Sequence, residues 1–158
     1  MANDPIRGRA TLEGTSRFAG RHTENVADHY RTVGWLSLSD LGIGTYIGRF
    51  DEETDRRYTE SVVRALVRGV NVIDTAINYR FQRSERSIGE ALLQLIRDKK
   101  ISRDEVIVCT KGGFIPFDNE PPKNPMDWLD ENLFETHVIA PGAIVADCHC
   151  IHPNYLRH

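Results

Sequence analysis

The sequence has few cysteines and no long apolar run. These two features argue against a disulfide-rich protein and against a membrane-spanning one. Its three cysteines cannot build a disulfide framework, and so low a number is typical of a reducing compartment. No apolar stretch approaches the roughly 18 residues of a membrane-spanning helix, and the opening residues, MANDPIRGRATLEG, contain no apolar signal-peptide core. We therefore expect a soluble, cytoplasmic protein that does not associate with a membrane.

Charge of one sign is not in excess either. The chain has 20 Lys and Arg against 23 Asp and Glu, a formal net charge of −3, so it lacks the basic surface that binds nucleic acid. With 12 glycines, 7 prolines and 40% apolar residues in 158, collagen-like, low-complexity and wholly disordered chains are excluded. This length corresponds to one globular domain or to part of a larger one, and the composition leaves the oligomeric state open.

What the sequence does contain is an alternation of short apolar runs and amphipathic helices. Strand candidates begin near residues 41, 70 and 105, and one helix is predicted between each pair. The first helix covers 54–69, and the second begins with Ser84 as its N-cap. Alternation at this spacing is typical of βαβ units that share a parallel sheet.

The segments on either side of this alternation are less regular. Residues 1–25 are polar and without period, which predicts a disordered arm, and residues 32–39 suit a hairpin around Gly34. Beyond Lys111 prolines interrupt the pattern, and a short helix is expected from about residue 126, with Asn124 as its cap.

Three polar residues follow the predicted strands. Asp74 comes directly after the second strand candidate, Tyr79 lies in the loop that follows, and Lys111 comes directly after the third. Active sites of parallel α/β folds lie at the carboxyl ends of the strands. A nearby ammonium group favours a phenolate and makes a phenol a better proton donor near neutrality, so the trio suits carbonyl reduction. The structural alternative is a turn-forming Asp, a packed Tyr and a solvated Lys.

Four segments of the chain, in order, resemble the aldo-keto reductase family: Leu41–Tyr46, Gly69–Tyr79, Ser84–Leu92 and Thr110–Lys111. The resemblance implies an α/β fold, namely a partial (β/α)8 TIM barrel. An N-terminal hairpin and about three βα units would form this part, and the barrel would not close within this chain. Residues 26–158 would be the N-terminal portion of that barrel.

The resemblance also implies a reaction and a set of site residues. Members of the family are NADP(H)-dependent oxidoreductases that reduce a small aldehyde or ketone by hydride transfer. Asp74, Tyr79 and Lys111 match three members of the catalytic tetrad, with Tyr79 as the proton donor and the other two as its tuning pair. The positions that match cofactor contacts near the nicotinamide are Gly44, Thr45, Tyr46 and Asp74.

The sequence departs from the family pattern in several respects. The fourth tetrad member is a His at the end of a fourth strand, and neither His149 nor His152 is assigned to it because both lie in an irregular tract. Arg80 stands where the family often has Gly. A (β/α)8 barrel needs about 250 residues, so we expect a truncated form that lacks this His and most cofactor contacts and is inactive alone. The alternative is an inactive truncated barrel that acts as a binding or interaction module.

Two other sites are weaker candidates. Gly42, Gly44 and Gly48 approach a dinucleotide-binding fingerprint, but the third glycine comes one residue late for G-x-G-x-x-G. The run Asp-Cys-His-Cys-Ile-His at 147–152 is rich in metal-ligand types, but its members are too close together for common zinc spacing. We therefore expect no metal site.

Overall fold

A three-stranded parallel sheet lies at the centre of the computed structural model, which describes residues 6–25 and 28–157. The helices and strands are, in chain order, α1 (Leu12–Gly20), β1 (Tyr30–Val33), β2 (Leu36–Ser39), β3 (Gly42–Gly44), α2 (Glu52–Val67), β4 (Val72–Asp74), α3 (Arg83–Arg97), β5 (Ile107–Cys109), α4 (Pro125–Leu129) and α5 (Pro153–Arg157). Single turns of 3-10 helix cover Arg103–Glu105 and Pro141–Ala143, and a π-helical turn covers Asp130–Phe134.

The sheet has the strand order β3-β4-β5, and both neighbouring pairs are parallel. Helix α2 connects the first pair and α3 connects the second, so the predicted βαβ alternation is confirmed. Within the described ranges the sheet has no fourth strand and does not close. The fold is therefore an open α/β arrangement, as expected for part of a barrel.

The main core lies between this sheet and its two long helices. Helix α2 begins where the Asp51 carboxylate accepts a hydrogen bond of 2.8 Å from the Thr54 amide, which satisfies one of the free N–H groups of the first turn. The apolar stripes of α2 and α3 are buried against Ile73 of β4, and their members include Val62, Leu66, Ile88, Leu92 and Leu95. Burying one such side chain contributes about 1.5–3 kcal/mol, so this cluster holds the sheet and helices together.

The predicted disordered arm is wrong for residues 12–20, which form α1; residues 1–5 lie outside the described ranges. Thr11 caps this helix by accepting a 3.0 Å hydrogen bond from the Gly14 amide, and Phe18 is fully buried in the main core. A Cβ on Gly14 would lie 2.2 Å from the Asp104 carbonyl oxygen. Helix α1 is therefore ordered by tertiary contacts that its polar sequence does not display.

The hairpin expected over 32–39 is confirmed as the antiparallel pair β1–β2. The buried side chain of Asn71, just before β4, joins this hairpin to the sheet. Its amide donates to the Ser37 carbonyl and its oxygen accepts from the Ser39 amide, each at 2.9 Å. Because a buried amide left without partners is costly, these bonds fix how the hairpin packs.

The expected N-cap role of Ser84 is also wrong. Helix α3 begins two residues earlier than such a cap would place it, at Arg83, after Gln82 in a left-handed conformation with φ of 70°. Ser84 is buried within the first turn and donates its hydroxyl to the Thr45 carbonyl at 2.6 Å. The serine thus joins α3 to the segment that follows β3.

Residues beyond Lys111 build a second, smaller apolar cluster. Its buried members are Ile115, Leu129, Leu133, Ile139 and Cys150. The predicted short helix is confirmed as α4, whose cap Asn124 accepts a hydrogen bond from the Met126 amide at 3.1 Å. No helix in the described part of the chain combines the length and the apolar character that crossing a membrane requires.

Candidate functional site

The ammonium group of Lys111 lies at the centre of a polar cluster at the carboxyl end of the sheet. Its Nζ donates to both carboxylate oxygens of Asp74, at 2.8 and 2.9 Å, and to the Thr75 carbonyl at 2.7 Å. It also lies 3.3 Å from the Tyr79 hydroxyl oxygen and 4.9 Å from the centre of the Tyr79 ring. The three residues singled out from the sequence therefore meet at one place.

The geometry follows from the pairing of β4 with β5. Asp74 is opposite Cys109 in the register, and the pairing continues past both strands. There the Thr75 amide donates to the Cys109 carbonyl at 2.8 Å and the Ile77 amide donates to the Lys111 carbonyl at 3.1 Å. Main-chain bonds thus hold the two segments that carry the cluster side by side.

Electrostatics favour the charged form of the lysine. The hydrogen bond to Asp74 is the largest influence and raises the pKa of Lys111 above its usual range, with a further hydrogen bond to Tyr79 acting in the same direction against desolvation. The Lys111 and Asp74 side chains are 51% and 50% exposed. The ammonium is therefore held in place while the cluster stays open to solvent.

The segment that follows β3 lies beside this cluster and contacts two of its members, Asp74 and Tyr79. Thr45 is fully buried, and its amide and hydroxyl both donate to the Asp74 carbonyl at 3.1 Å. By contrast, Tyr46 is 67% exposed and its ring centre lies 4.9 Å from that of Tyr79. Gly44 has no atom within 4 Å of the position that a Cβ would occupy. Gly44 and Tyr46 are thus open to a ligand, whereas the hydroxyl of Thr45 is used within the chain.

The two histidines of the irregular tract contact residues outside the cluster of Asp74, Tyr79 and Lys111. The His149 ring packs edge-on against Phe114 with centres 5.3 Å apart, and the His152 Nδ1 accepts from the Asn154 amide at 3.2 Å. Across residues 6–25 and 28–157, no three Cys, His, Asp or Glu side chains come together as metal ligands would.

Sequence reasoning missed one contributor to the cluster. Thr75 acts through its main-chain carbonyl, which accepts from the Lys111 ammonium, and a carbonyl contact leaves no signal in residue type. The only signal available was position, because Thr75 directly follows Asp74 at the strand end.

Comparison with known proteins places the chain in a family. The sequence model of the Aldo/keto reductase family matches residues 40–135, more than half of the chain. The NADH-specific methylglyoxal reductase of Escherichia coli (strain K12) is 36% identical over 85 residues, which cover 51% of this chain and 24% of that protein. The aldo-keto reductase YhdN of Bacillus subtilis (strain 168) is 30% identical over 105 residues, which cover 63% of this chain and 26% of that protein. The chain thus spans about a quarter of the length of these relatives, and the family match over more than half of its length shows that it belongs to the aldo/keto reductase family.

Proposed function

We propose that this chain carries the catalytic residues of an NADP(H)-dependent oxidoreductase that reduces an aldehyde or ketone by hydride transfer. The observation that supports this function most directly is the contact of the Lys111 ammonium with both the Asp74 carboxylate and the Tyr79 hydroxyl. In this proposal residues 26–158 are the N-terminal portion of a (β/α)8 barrel.

Tyr79 is the proposed proton donor to the carbonyl oxygen of the substrate. Loss of that proton leaves a phenolate, and the Lys111 ammonium 3.3 Å away stabilises the negative charge. Asp74 holds the ammonium in place through two hydrogen bonds and balances its charge. Each of the three residues therefore has a role that its position supports.

The residues present suit a nicotinamide cofactor in part. Gly44, Tyr46 and Asp74 are the proposed contacts, since the first two leave open space beside the cluster. Thr45 would act indirectly, because its buried hydroxyl already bonds to the Asp74 carbonyl. When bound, the reduced nicotinamide would supply the hydride. One relative is named as NADH-specific, so the choice of NADPH over NADH is part of the proposal that an experiment must test.

A specific observation also supports the alternative of a catalytically inactive interaction module. The Lys111 and Asp74 side chains are about half exposed, and water around a site weakens the electrostatic stabilisation on which proton transfer depends. The sheet also leaves β3 and β5 each with a single partner strand among the described residues. The family resemblance implies a His and further cofactor contacts that have no match in this sequence, so we also propose that the 158-residue chain alone binds NADPH poorly and turns over negligibly.

The test uses the chain alone and a chimera in which residues 28–135 of this chain replace the corresponding segment of the Bacillus subtilis relative. Absorbance of the reduced nicotinamide is followed with NADPH or NADH and a panel of aldehydes and ketones that includes methylglyoxal. We expect the chimera to reduce a carbonyl compound. Tyr79→Phe should lower its kcat by at least about 100-fold, the lower end of a general acid's contribution, while cofactor affinity is largely retained.

Tyr30→Phe is the matched control, because this tyrosine belongs to the hairpin and bonds to the Gly69 carbonyl. Its turnover should equal that of the parent chimera. Near-normal turnover by Tyr79→Phe would refute the role of Tyr79. A chimera that folds and binds cofactor but reduces no carbonyl compound would favour the interaction module.

A further inference from the structure

A buried arginine next to the proposed proton donor joins two segments of the site. Arg80 directly follows Tyr79, and its side chain is only 1% exposed. Its Nε donates to the Arg49 carbonyl at 2.8 Å, and its Nη2 bonds to the Asp55 carboxylate at 2.5 Å. The guanidinium thereby connects the turn after Tyr79 with the segment between β3 and α2.

The same two segments also meet on either side of this arginine. The Tyr46 ring packs against Tyr79 with centres 4.9 Å apart, and the Phe50 ring packs edge-on against Phe81 at 5.0 Å. Both Tyr46 and Phe50 are largely exposed, so these aromatic pairs alone hold the segments weakly. Between them in sequence, Arg80 adds a hydrogen bond to the Arg49 carbonyl and a charge-assisted hydrogen bond to Asp55, and bonds between charged groups are stronger than neutral ones.

The backbone shows that this arrangement carries a cost. Arg80, Phe81 and Gln82 have φ values of 50°, 55° and 70°, a left-handed conformation that is unfavourable for residues with a Cβ. The Nη1 of Arg80 is buried without a hydrogen-bond partner among the described residues. Favourable contacts of the Arg80 side chain must therefore offset both the backbone strain and one unsatisfied donor.

One carboxylate of α2 faces the positive charges of Arg80 and Arg83. Asp55 accepts from Arg80 through Oδ1 and from Arg83 through Oδ2, each at 2.5 Å. The Arg80 guanidinium also lies 4.8 Å from the centre of the Tyr58 ring. This carboxylate in the first turn of α2 thus bonds to the first residue of the left-handed turn and to the residue that follows the turn.

We propose that Arg80 is a positioning residue that fixes the Tyr79 phenol beside Lys111 by clamping residues 46–50 and α2 onto the left-handed turn 80–82. This inference rests on the proposed function, in which Tyr79 is the proton donor. The clamp holds Tyr79 in place, whereas the proposed function concerns the atom that Tyr79 protonates.

The test is made on the 158-residue chain with Arg80→Gly, which relieves the backbone strain and removes the clamp. Lys99→Gly is the matched control, since Lys99 also has a left-handed φ, of 54°, but its side chain is exposed at the end of α3. We expect amide hydrogen exchange of residues 45–51 and 78–83 to accelerate at least about tenfold in Arg80→Gly. In Lys99→Gly these segments should exchange as in the wild type.

A second measurement separates positioning of Tyr79 from simple support of the loop. In protein labelled with ¹³C at the tyrosine ring, Lys111→Met should shift the Tyr79 resonance, which Tyr79→Phe identifies by its loss. In the Arg80→Gly background that shift should fall to less than about half, the behaviour of two coupled sites. Faster exchange of 45–51 with an undiminished Lys111 effect on Tyr79 would overturn the proposal, as would unchanged exchange.

Two further variants keep the proposal testable if Arg80→Gly does not fold by circular dichroism. Asp55→Asn weakens the clamp from the α2 side without changing a residue of the turn, and Arg80→Lys retains the charge but lacks the planar fork that bonds to Arg49 through Nε and to Asp55 through Nη2. Both variants should accelerate the exchange of residues 45–51 and 78–83 and should diminish the shift that Lys111→Met causes in the Tyr79 resonance. Each effect should be smaller than in Arg80→Gly. None of these signals requires hydride transfer. A failed reductase assay would therefore refute the proposed function, whereas hydrogen exchange and the Tyr79 resonance decide whether the clamp exists.

Discussion

Replacing Glu105 with Gln should destabilise the fold substantially, because this carboxylate joins α1 to the rest of the molecule. Its side chain is 1% exposed. It accepts from Arg17 Nε at 2.8 Å, from Arg21 Nη1 and Nη2 at 2.6 and 2.7 Å, and from the Ser102 amide at 3.0 Å. Glutamine has nearly the same shape, but its NH2 group would face donors where a carboxylate oxygen now accepts.

The magnitude follows from these contacts. A hydrogen bond to a charged group contributes about 1.5–3 kcal/mol, and removing one partner of a buried ion pair costs about 3–5 kcal/mol. The Arg17 and Arg21 side chains are 46% and 41% exposed, so water compensates part of their loss and the lower end applies. We expect the free energy of unfolding to fall by about 3 kcal/mol, and thus Tm by roughly 6–12 °C for a chain of this size.

Urea unfolding followed by far-UV circular dichroism measures this change. With a urea dependence of about 2 kcal/mol per molar, the midpoint should fall by about 1.5 M. Glu53→Gln is the control, because Glu53 pairs with Arg57 on the exposed surface of α2 and such pairs contribute less than about 1 kcal/mol. Its midpoint should stay close to that of the wild type.

The pH dependence gives a second check on the same residue. Burial alone would raise the pKa of Glu105, but the hydrogen bonds from Arg21, the Ser102 amide and Arg17 together outweigh it and lower the pKa below the ordinary 4.5. The stabilisation is therefore complete above about pH 5.5 and is lost as the pH falls through the lowered folded-state pKa. The difference between wild type and Glu105→Gln should be full at pH 7 and should shrink towards pH 3. A difference below about 0.5 kcal/mol at pH 7, within the range of ordinary surface substitutions, would refute the role given to Glu105.

Other substitutions test separate parts of the structure. Ser84→Ala should lower the unfolding free energy by about 1–3 kcal/mol in urea titrations, because the Thr45 carbonyl loses a buried donor. Burial raises the pKa of Tyr30 to about 12. Because the phenol of the unfolded chain ionises near pH 10, the free energy of unfolding should decline as the pH rises above 10. A spectrophotometric titration of Tyr30→Phe should lack one late-titrating phenol. Leu133→Ala should cost about 2–5 kcal/mol if the second cluster unfolds with the main core, and a separate early transition would instead show that the two clusters unfold independently.

The parts of the fold with a strong apolar period were predictable from the sequence. The apolar stripe of 54–69 predicts helix α2, and the β-branched run at 70–73 predicts strand β4. Each buries its apolar face against the other in the main core. The cluster of Asp74, Tyr79 and Lys111 also followed from position, since parallel strands bring their carboxyl ends together. The catalytic roles of these residues remain predictions.

The missed features depend on contacts between residues far apart in the chain. Helix α1 buries only Gly14, Thr15 and Phe18, too narrow a stripe to stand out in a polar segment, and its order comes from Glu105 and Asp104 about 90 residues later. Ser84 has the residue type of a cap, yet its hydroxyl bonds to Thr45 instead. In both cases the partner, and not the local sequence, decided the structure.

The pairing of β4 with β5 has a consequence for the order of assembly during synthesis. Asp74 and Lys111 are 37 residues apart, and they lie at the ends of the two strands of one βαβ unit, formed by β4, α3 and β5. At about 5–20 residues per second, translation produces everything from the first of these residues to the second within several seconds. The charge pair of the proposed site can therefore form while later residues are still being added to the chain, and distant segments need only build around it.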